Sequence, residues 1–422
     1  MTASARRALD PRRTVVVTGL GAVSPFGWGA AALWQGLRSG EHAVGAFDRF
    51  DAARHRTQIA AQVPHPGDAG VTSAAGETSS IADAFAVAAA EEALAQAGFV
   101  HGLAGCDAGV YFGGSTGGMF ESENFFAGVL RPRGERTFRL RDLQSQPPSG
   151  PGEAVARAFG VRGPVTTLSA ACASATLALG EAMAALREGE VEVALSGGAD
   201  SLCQLTYAGF NSLRAVDAGP CRPFRHQREG MTLGEGAAVL VLETLEHATA
   251  RGALPLAIIA GAGASCDAHH MTAPDPTGAG VARAIRLALA DAGLEADAVA
   301  FVNAHGTGTP LNDAAEWAAL SAVFGERAVR LPVTSSKGNL GHFLGSAGAI
   351  EAVATVLCLQ HAEVHPTPGD GPVDPDAPVD LVLGEPRPIA RDGAALSTNF
   401  AFGGSNAAVI LQPYPPLPDA AA

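Results

Sequence analysis

The apolar positions of this chain fall in near-continuous runs that end in glycine-rich turns. TVVVTGLGAVSP (Thr14–Pro25) is such a run, closing on Gly19-x-Gly21, and LAIIAGAGASCD (Leu256–Asp267) repeats it with Gly261-x-Gly263. Runs of this kind read as strands covered on both faces, and their alternation with helices predicts mostly parallel pairing. Further segments recur in the same order. The alanine-rich helix at Ile81–Gly98 is matched by Ala279–Gly293, and DAGVYFGGSTGG (Asp107–Gly118) by DAVAFVNAHGTGTP (Asp297–Pro310). PVTTLSAACASATLALGEAMAAL (Pro164–Leu186) is matched by PVTSSKGNLGHFLGSAGAIEAVATVL (Pro332–Leu357). The closing strands are AAVLVLE (Ala237–Glu243) and AAVILQ (Ala407–Gln412). The pattern predicts a duplicated α/β body, residues 1–250 and 251–422, divided near Glu243–Pro255 and layered as helices, sheet, helices, sheet, helices. Glu121–Pro151 and Leu202–Arg228 have no counterpart in the second half, which makes them candidate cap, entrance or dimer segments.

Three stretches, Thr14–Leu37, Gly163–Gly180 and Gly393–Pro418, contain no charged residue and are long enough to span a bilayer. Their Gly, Ser, Thr, Asn and Pro would leave backbone groups unsatisfied in lipid, so no membrane span is expected. Over all 422 residues, 47% are hydrophobic and 17% charged, against about 25% charged in an ordinary chain. That composition excludes a disordered chain. Basic residues number 28 and acidic ones 42, a net charge of −14 that argues against nucleic-acid binding. Six scattered cysteines without a CxxC pair form neither a disulfide framework nor a zinc motif and fit a reducing cytoplasm. The start, MTASARRALDPRRT, has no apolar core and reads as a frayed tail.

Chemistry concentrates in four loops. Ser169-Ala-Ala-Cys172-Ala-Ser joins a strand to a helix, where the helix N-terminus favours a thiolate and is expected to lower the thiol pKa. Asn303-Ala-His305-Gly-Thr307-Gly-Thr309-Pro displays a histidine beside two hydroxyls. Ser335-Ser-Lys337-Gly-Asn-Leu-Gly341-His342 occupies in the second half the place that Cys172 holds in the first. A pseudo-twofold axis would bring these loops together as an activated thiol with cationic oxyanion donors. A metal held by His305 and His342 is a rival, but the sequence offers no carboxylate or third histidine at ligand spacing. Asn399-Phe400-Ala-Phe402-Gly-Gly-Ser-Asn406 precedes a strand, so it suits a backbone N–H donor with an aromatic gate better than a phosphate cradle. Neither GxG pair completes a dinucleotide fingerprint. His269 and His270 are loop residues, His270 with a place at an entrance.

Together these loops resemble the β-ketoacyl-acyl-carrier-protein synthases of the thiolase superfamily. SAACAS, NAHGTGTPLND, SSKGNLGHFLGSAGAIE and NFAFGGSN stand in the family's order, and the resemblance spans essentially the whole chain. His342, where initiating members have Asn, is similar to the elongating Cys-His-His branch. The resemblance implies a five-layered thiolase fold and an acyltransferase that condenses malonyl carrier protein with a Cys-bound acyl chain. In it Cys172 carries the acyl group, and the N–H groups of Cys172 and Phe402 form the oxyanion hole with Phe400 nearby. His305 and His342 assist decarboxylation, Lys337 and Glu351 form a supporting ion pair, and Thr307 and Thr309 bind the phosphopantetheine arm. The resemblance implies no cofactor of the chain's own, since phosphopantetheine arrives on the carrier protein. Met231 stands where many fatty-acid members have Phe, and Thr116 where the family often has a larger residue lining the acyl pocket. Either a fatty-acid or a type II polyketide or polyene pathway accords with that. The partners implied are an acidic acyl carrier protein and a second subunit, identical or chain-length-factor-like. Arg131, Arg133 and Arg136, in RPRGERTFRLR, and Arg214 are the expected docking residues. A thiolase is disfavoured by SSKGNLGH and the lack of a second catalytic cysteine, and a non-catalytic partner by the retained Cys172.

Overall fold

The computed structural model describes residues 9–66 and 79–414; the first part of the expected frayed tail, residues 1–8, lies outside them. In the first half, strand β1 (Val15–Ser24) is followed by helix α1 (Ile81–Ala97), β2 (Ala108–Gly113), β3 (Val165–Leu168), α2 (Ser174–Glu188), β4 (Val193–Asp200) and β5 (Gly236–Thr244). The second half contains β6 (Ala257–Cys266), α3 (Ala279–Ala292), β7 (Val299–Asn303), α4 (Pro310–Phe324), β8 (Pro332–Thr334), α5 (Ala347–His361), β9 (Ala394–Phe400) and β10 (Ser405–Pro413).

The strand order is β1-β5-β4-β2-β3 in one half and β6-β10-β9-β7-β8 in the other. Both run antiparallel, antiparallel, parallel, parallel. Pairing is therefore half parallel, not mostly so. The reason is local: β9 turns straight back into β10 through residues 401–404, and a hairpin forces antiparallel pairing. A short antiparallel contact, Val15–Val17 against Ala257–Ile259, joins the halves into one hydrogen-bonded sheet.

Side-chain alternation sets the layers. Leu240 and Leu242 of β5 face a central cluster with Leu179 and Met183 of α2 and Val353 and Val356 of α5, together with Val409 and Leu411 of β10. Val239 and Val241 point the other way, onto Phe85, Ala89 and Leu94 of α1. Ala408 and Ile410 face Ile285 and Ala288 of α3 and Leu320 of α4. The stack is thus α1, sheet, α2 with α5, sheet, α3 with α4. Each fully buried Leu, Ile or Val contributes roughly 1.5–3 kcal/mol over exposure, and these three clusters hold most of the core. The GxG pairs serve this packing. A Cβ at Gly19 or Gly21 would overlap the carbonyl oxygens of Ala93 and Ala89, and one at Gly263 that of Ala284. Only glycine lets the helix lie that close to its strand. No helix among the described residues is long and apolar enough to cross a membrane.

Candidate active site

The turn between β3 and α2 is bent by Ala171, which adopts the left-handed φ of 45°. A non-glycine residue there costs of the order of 1 kcal/mol or more. Ser174 holds the bend: its Oγ accepts the Ala170 N–H at 2.8 Å and donates to the Ala171 carbonyl at 2.6 Å. The bend presents Cys172 at the base of a cavity of about 270 Å³, with only 8% of the residue exposed. His305, His342 and Phe400 line the same cavity.

His305 follows the end of β7. Glu316, on α4, accepts the His305 N–H at 2.9 Å and the Gly306 N–H at 2.8 Å, while the Thr398 hydroxyl donates to it at 3.0 Å. One helical turn brings Asp313 to the same face, where it accepts the N–H groups of Gly308 at 3.2 Å and Phe224 at 2.8 Å. His342 is fixed by its N–H donating to the Thr232 carbonyl at 2.7 Å. Its Nδ1 accepts the N–H of Leu344 at 3.0 Å, and Leu344 also takes a left-handed φ, 53°. The two imidazole rings lie 5.4 Å apart at 87°. Behind them the Lys337 ammonium donates to Glu351, both fully buried. Asn399 completes the chain, with its Nδ2 donating to Glu351 Oε2 at 2.8 Å and lying 3.3 Å from His305 Nδ1.

Burial decides the protonation of this cluster. It pushes the Cys172 thiol up to about 11, with Lys337 pulling the other way. The helix N-terminus was expected to lower that pKa. Its dipole contributes about 0.3–1 kcal/mol, or up to ~2 in favourable geometry, against a desolvation that outweighs it, so the resting thiol is protonated. Burial also pushes His305 and His342 well below the ordinary histidine range, and the Lys337 charge pushes both further down. Both imidazoles are neutral.

Their tautomers follow from the donors at Nδ1. Leu344 N–H and the Asn399 amide both donate there, so each ring carries its hydrogen on Nε2. His342 Nε2 is buried with no partner among the described residues. Such an orphan costs about 1–3 kcal/mol; the site keeps a donor aimed where an oxygen can arrive. The same tautomers argue against a metal. The ligand atoms of Cys172, His305 and His342 all lie within 4.8 Å of one another, but a ligating imidazole donates its other N–H to an acceptor. Here both Nδ1 positions face donors, so the donor set does not fit an ion.

Phe402, Met231, Thr307, Thr309 and Arg214 also line the cavity, and the two threonine hydroxyls meet at 2.9 Å. Gly403 and Gly404 bond their N–H groups to Met271 and Ala401. The Phe402 N–H donates to nothing among the described residues, and the Cys172 N–H meets only its own thiol sulfur. Five expected residues lie elsewhere. Thr116 is buried away from the cavity, its N–H and hydroxyl both bound to the Asp200 carboxylate at 2.7 and 2.8 Å. Asp200 also takes the N–H of Ser115 and of Ser346, so Thr116 is spent on holding a loop. His270 is exposed, its Nδ1 accepting the N–H groups of Thr272 and Ala273 at 3.1 Å each, which closes its own turn. Arg131, Arg133 and Arg136 are exposed beyond the helix Met119–Leu130 and do not line the cavity. Sequence reading missed Asn399, Glu316, Asp313 and Asp200. Asn399 stood inside a quoted motif, and the i, i+3 spacing of Asp313 and Glu316 behind a threonine loop was the available signal.

Comparison with known proteins accords with this geometry. The model of the β-ketoacyl synthase N-terminal domain matches residues 12–248, and that of the C-terminal domain residues 256–369. The chain is 36% identical to 3-oxoacyl-[acyl-carrier-protein] synthase 2 of Synechocystis sp., covering 96% of this chain and 99% of that one. Among solved structures, the ishigamide ketosynthase/chain length factor superposes with a TM-score of 0.89 at 35% identity, over 96% of this chain and 100% of that one. A type II polyketide ketosynthase in complex with its acyl-carrier protein gives 0.85 at 29% identity, over 95% and 100%. The two domain models together cover most of the chain, in the order in which its two halves are laid out, and place it in the β-ketoacyl synthase family with the thiolase fold.

Proposed function

We propose that this chain catalyses the decarboxylative Claisen condensation of a malonyl thioester with an acyl group carried on Cys172. The observation that carries the reading is the buried, partnerless Nε2–H of His342 beside His305 and the Cys172 thiol. In the first step the Cys172 sulfur attacks an acyl thioester. The N–H groups of Cys172 and Phe402 stabilise the oxyanion, and the thiol proton leaves on the departing phosphopantetheine thiolate. A malonyl thioester then enters past Thr307 and Thr309. The two Nε2–H groups donate to its thioester oxygen as carbon dioxide departs, so the negative charge develops on an enolate that neutral donors stabilise. The enolate carbon attacks the acyl carbonyl, the Cys172 thiolate leaves, and one proton from solvent restores the thiol. Burial, reinforced by the Lys337 charge that Glu351 holds in place, keeps both imidazoles neutral.

The resident groups supply all of these steps, so no cofactor beyond the carrier-borne arm is required. Arg214 at the cavity mouth is the docking residue best placed for an acidic carrier; Arg131, Arg133 and Arg136 would act at a distance from the mouth. The half carrying Cys172, residues 1–250, loads the acyl group, and the half carrying the histidines, residues 251–422, decarboxylates. Six unpaired cysteines accord with the cytoplasm. The likeness to a ketosynthase/chain length factor supports a second reading in which the other subunit of the dimer is a chain-length factor. Replacing His342 by Ala tests the chemistry: decarboxylation of malonyl carrier protein should fall about 100-fold or more with acylation of Cys172 retained. Unchanged decarboxylation would remove His342 from the mechanism.

A further inference from the structure

One buried imidazole has no part in the chemistry above. His365 follows the two-residue strand Glu363–Val364 and exposes none of its surface. We propose that His365 is a positioning residue, the end of a hydrogen-bond network from Asn303 through Ser336 that fixes Lys337 against the two active-site imidazoles.

Donor counting gives the direction. The Pro366 carbonyl can only accept and lies 3.2 Å from His365 Nδ1, so the ring hydrogen is on Nδ1. Nε2 is then an acceptor, and Ser336 Oγ, 3.1 Å away, donates to it. The same hydroxyl also has Asn303 Oδ1 as an acceptor at 3.2 Å, and its oxygen receives Nδ2–H of Asn303 at 3.1 Å. The remaining Asn303 amide hydrogen reaches the Glu351 carbonyl and Thr355 Oγ1, each at 3.2 Å. The Thr334 hydroxyl donates to the His365 carbonyl at 2.8 Å and closes the far end.

Every member touches an element that carries the site. Asn303 precedes His305 by two residues, Ser336 immediately precedes Lys337, and Glu351 is the partner of the Lys337 ammonium. A fully bonded buried network is rigid, and removing His365 leaves Ser336 with Asn303 Oδ1 alone, cutting the side-chain tie between the Lys337 loop and the segment that follows Glu363–Val364. The titratable groups around the two imidazoles are Lys337, Glu351, Glu316 and the Cys172 thiol, and Lys337 is the charge that acts on both rings. Displacing Lys337 therefore alters both rings at once.

The kinetic part of this inference rests on the proposed condensation; the geometric part does not. His365→Phe keeps a ring in place and removes the acceptor for Ser336. The kcat for condensation is expected to fall about tenfold with KM for malonyl carrier protein within about twofold. His365→Gln, which can accept from Ser336 and donate to Pro366, should restore kcat to within about twofold of the parent. The deciding readout is a histidine NMR titration of the substrate-free protein. The midpoints of His305 and His342 should rise in His365→Phe, because Lys337 is no longer held beside them. That measurement needs no catalysis, so it stands even if the proposed activity fails. Where His365→Phe does not fold, Ser336→Ala cuts the same network and should raise the same midpoints. Unmoved His305 and His342 midpoints in folded His365→Phe, or in Ser336→Ala where the first does not fold, overturn the proposal.

Discussion

Replacing Glu351 by Gln should destabilise this protein far more than loss of an ordinary ion pair. The side chains of Lys337 and Glu351 are 2% and 1% exposed, and burial pushes the Glu351 carboxyl above its usual range even with Lys337 beside it. In such surroundings the favourable charge–charge contact mainly offsets desolvation, and removing one partner strands the other. The substitution leaves an acceptor for the Asn399 amide, so it isolates the charge. A stranded buried ammonium costs about 3–5 kcal/mol, out of a total stability of about 5–15 kcal/mol. Arg38 and Glu363 provide a control: the pair is 2.9 Å apart but 56% and 29% exposed, and Glu363→Gln should cost about 1 kcal/mol or less. Guanidinium unfolding monitored by circular dichroism gives both values. The double variant Lys337→Met, Glu351→Gln should recover part of the loss, because it removes both charges. A loss below about 1 kcal/mol for Glu351→Gln, or a double variant as unstable as the sum of the singles, would refute the reasoning.

Two more outcomes follow from the structure. Arg214→Glu places a negative charge at the cavity mouth and should raise KM for carrier-bound substrate while sparing small acyl thioesters; equal loss on both would remove Arg214 from docking. His365 has its pKa lowered from 6.5 to about 4 by burial. Its folded pKa lies below its unfolded one, so its contribution is present above pH 6.5 and lost as pH falls from there to about 4. That loss amounts to roughly 3 kcal/mol. Glu316, raised to about 7, acts with the opposite sign: its contribution is complete below 4.5 and is lost as pH rises to 7. Replacing Glu316 by Gln should therefore leave a stability that falls more steeply on acidification, measurable by unfolding between pH 7 and 5.

The duplication, the layers and the Cys172, His305 and His342 loops were legible because each is local. A strand, a small-residue turn and an apolar helix occupy contiguous residues, and the second half repeats the first. Strand sense was less legible, since the short return between β9 and β10 decides it and apolar runs do not reveal direction. Thr116 and His270 do not line the described cavity. The family resemblance points to Thr116 and a loop position to His270, and the sequence does not reveal that Thr116 is bonded to Asp200 and His270 to its own turn. The thiol pKa was misjudged because helix position can be read from sequence and desolvation cannot. Asn399 reaches His305 and Glu351 from a strand far away in the chain, whereas Glu316 lies only 11 residues beyond His305, and the roles of both depend on which groups the fold brings beside them.

The central claim is that Cys172 carries the acyl chain while two neutral imidazoles drive decarboxylation above it. Intact-protein mass spectrometry of the enzyme with acyl carrier protein, followed by malonyl carrier protein, tests it most directly. The parent protein should gain one acyl adduct at Cys172 and then lose it as 3-oxoacyl carrier protein and carbon dioxide appear, and Cys172→Ala should do neither. An adduct on another cysteine, or condensation that persists in Cys172→Ala, would contradict the account.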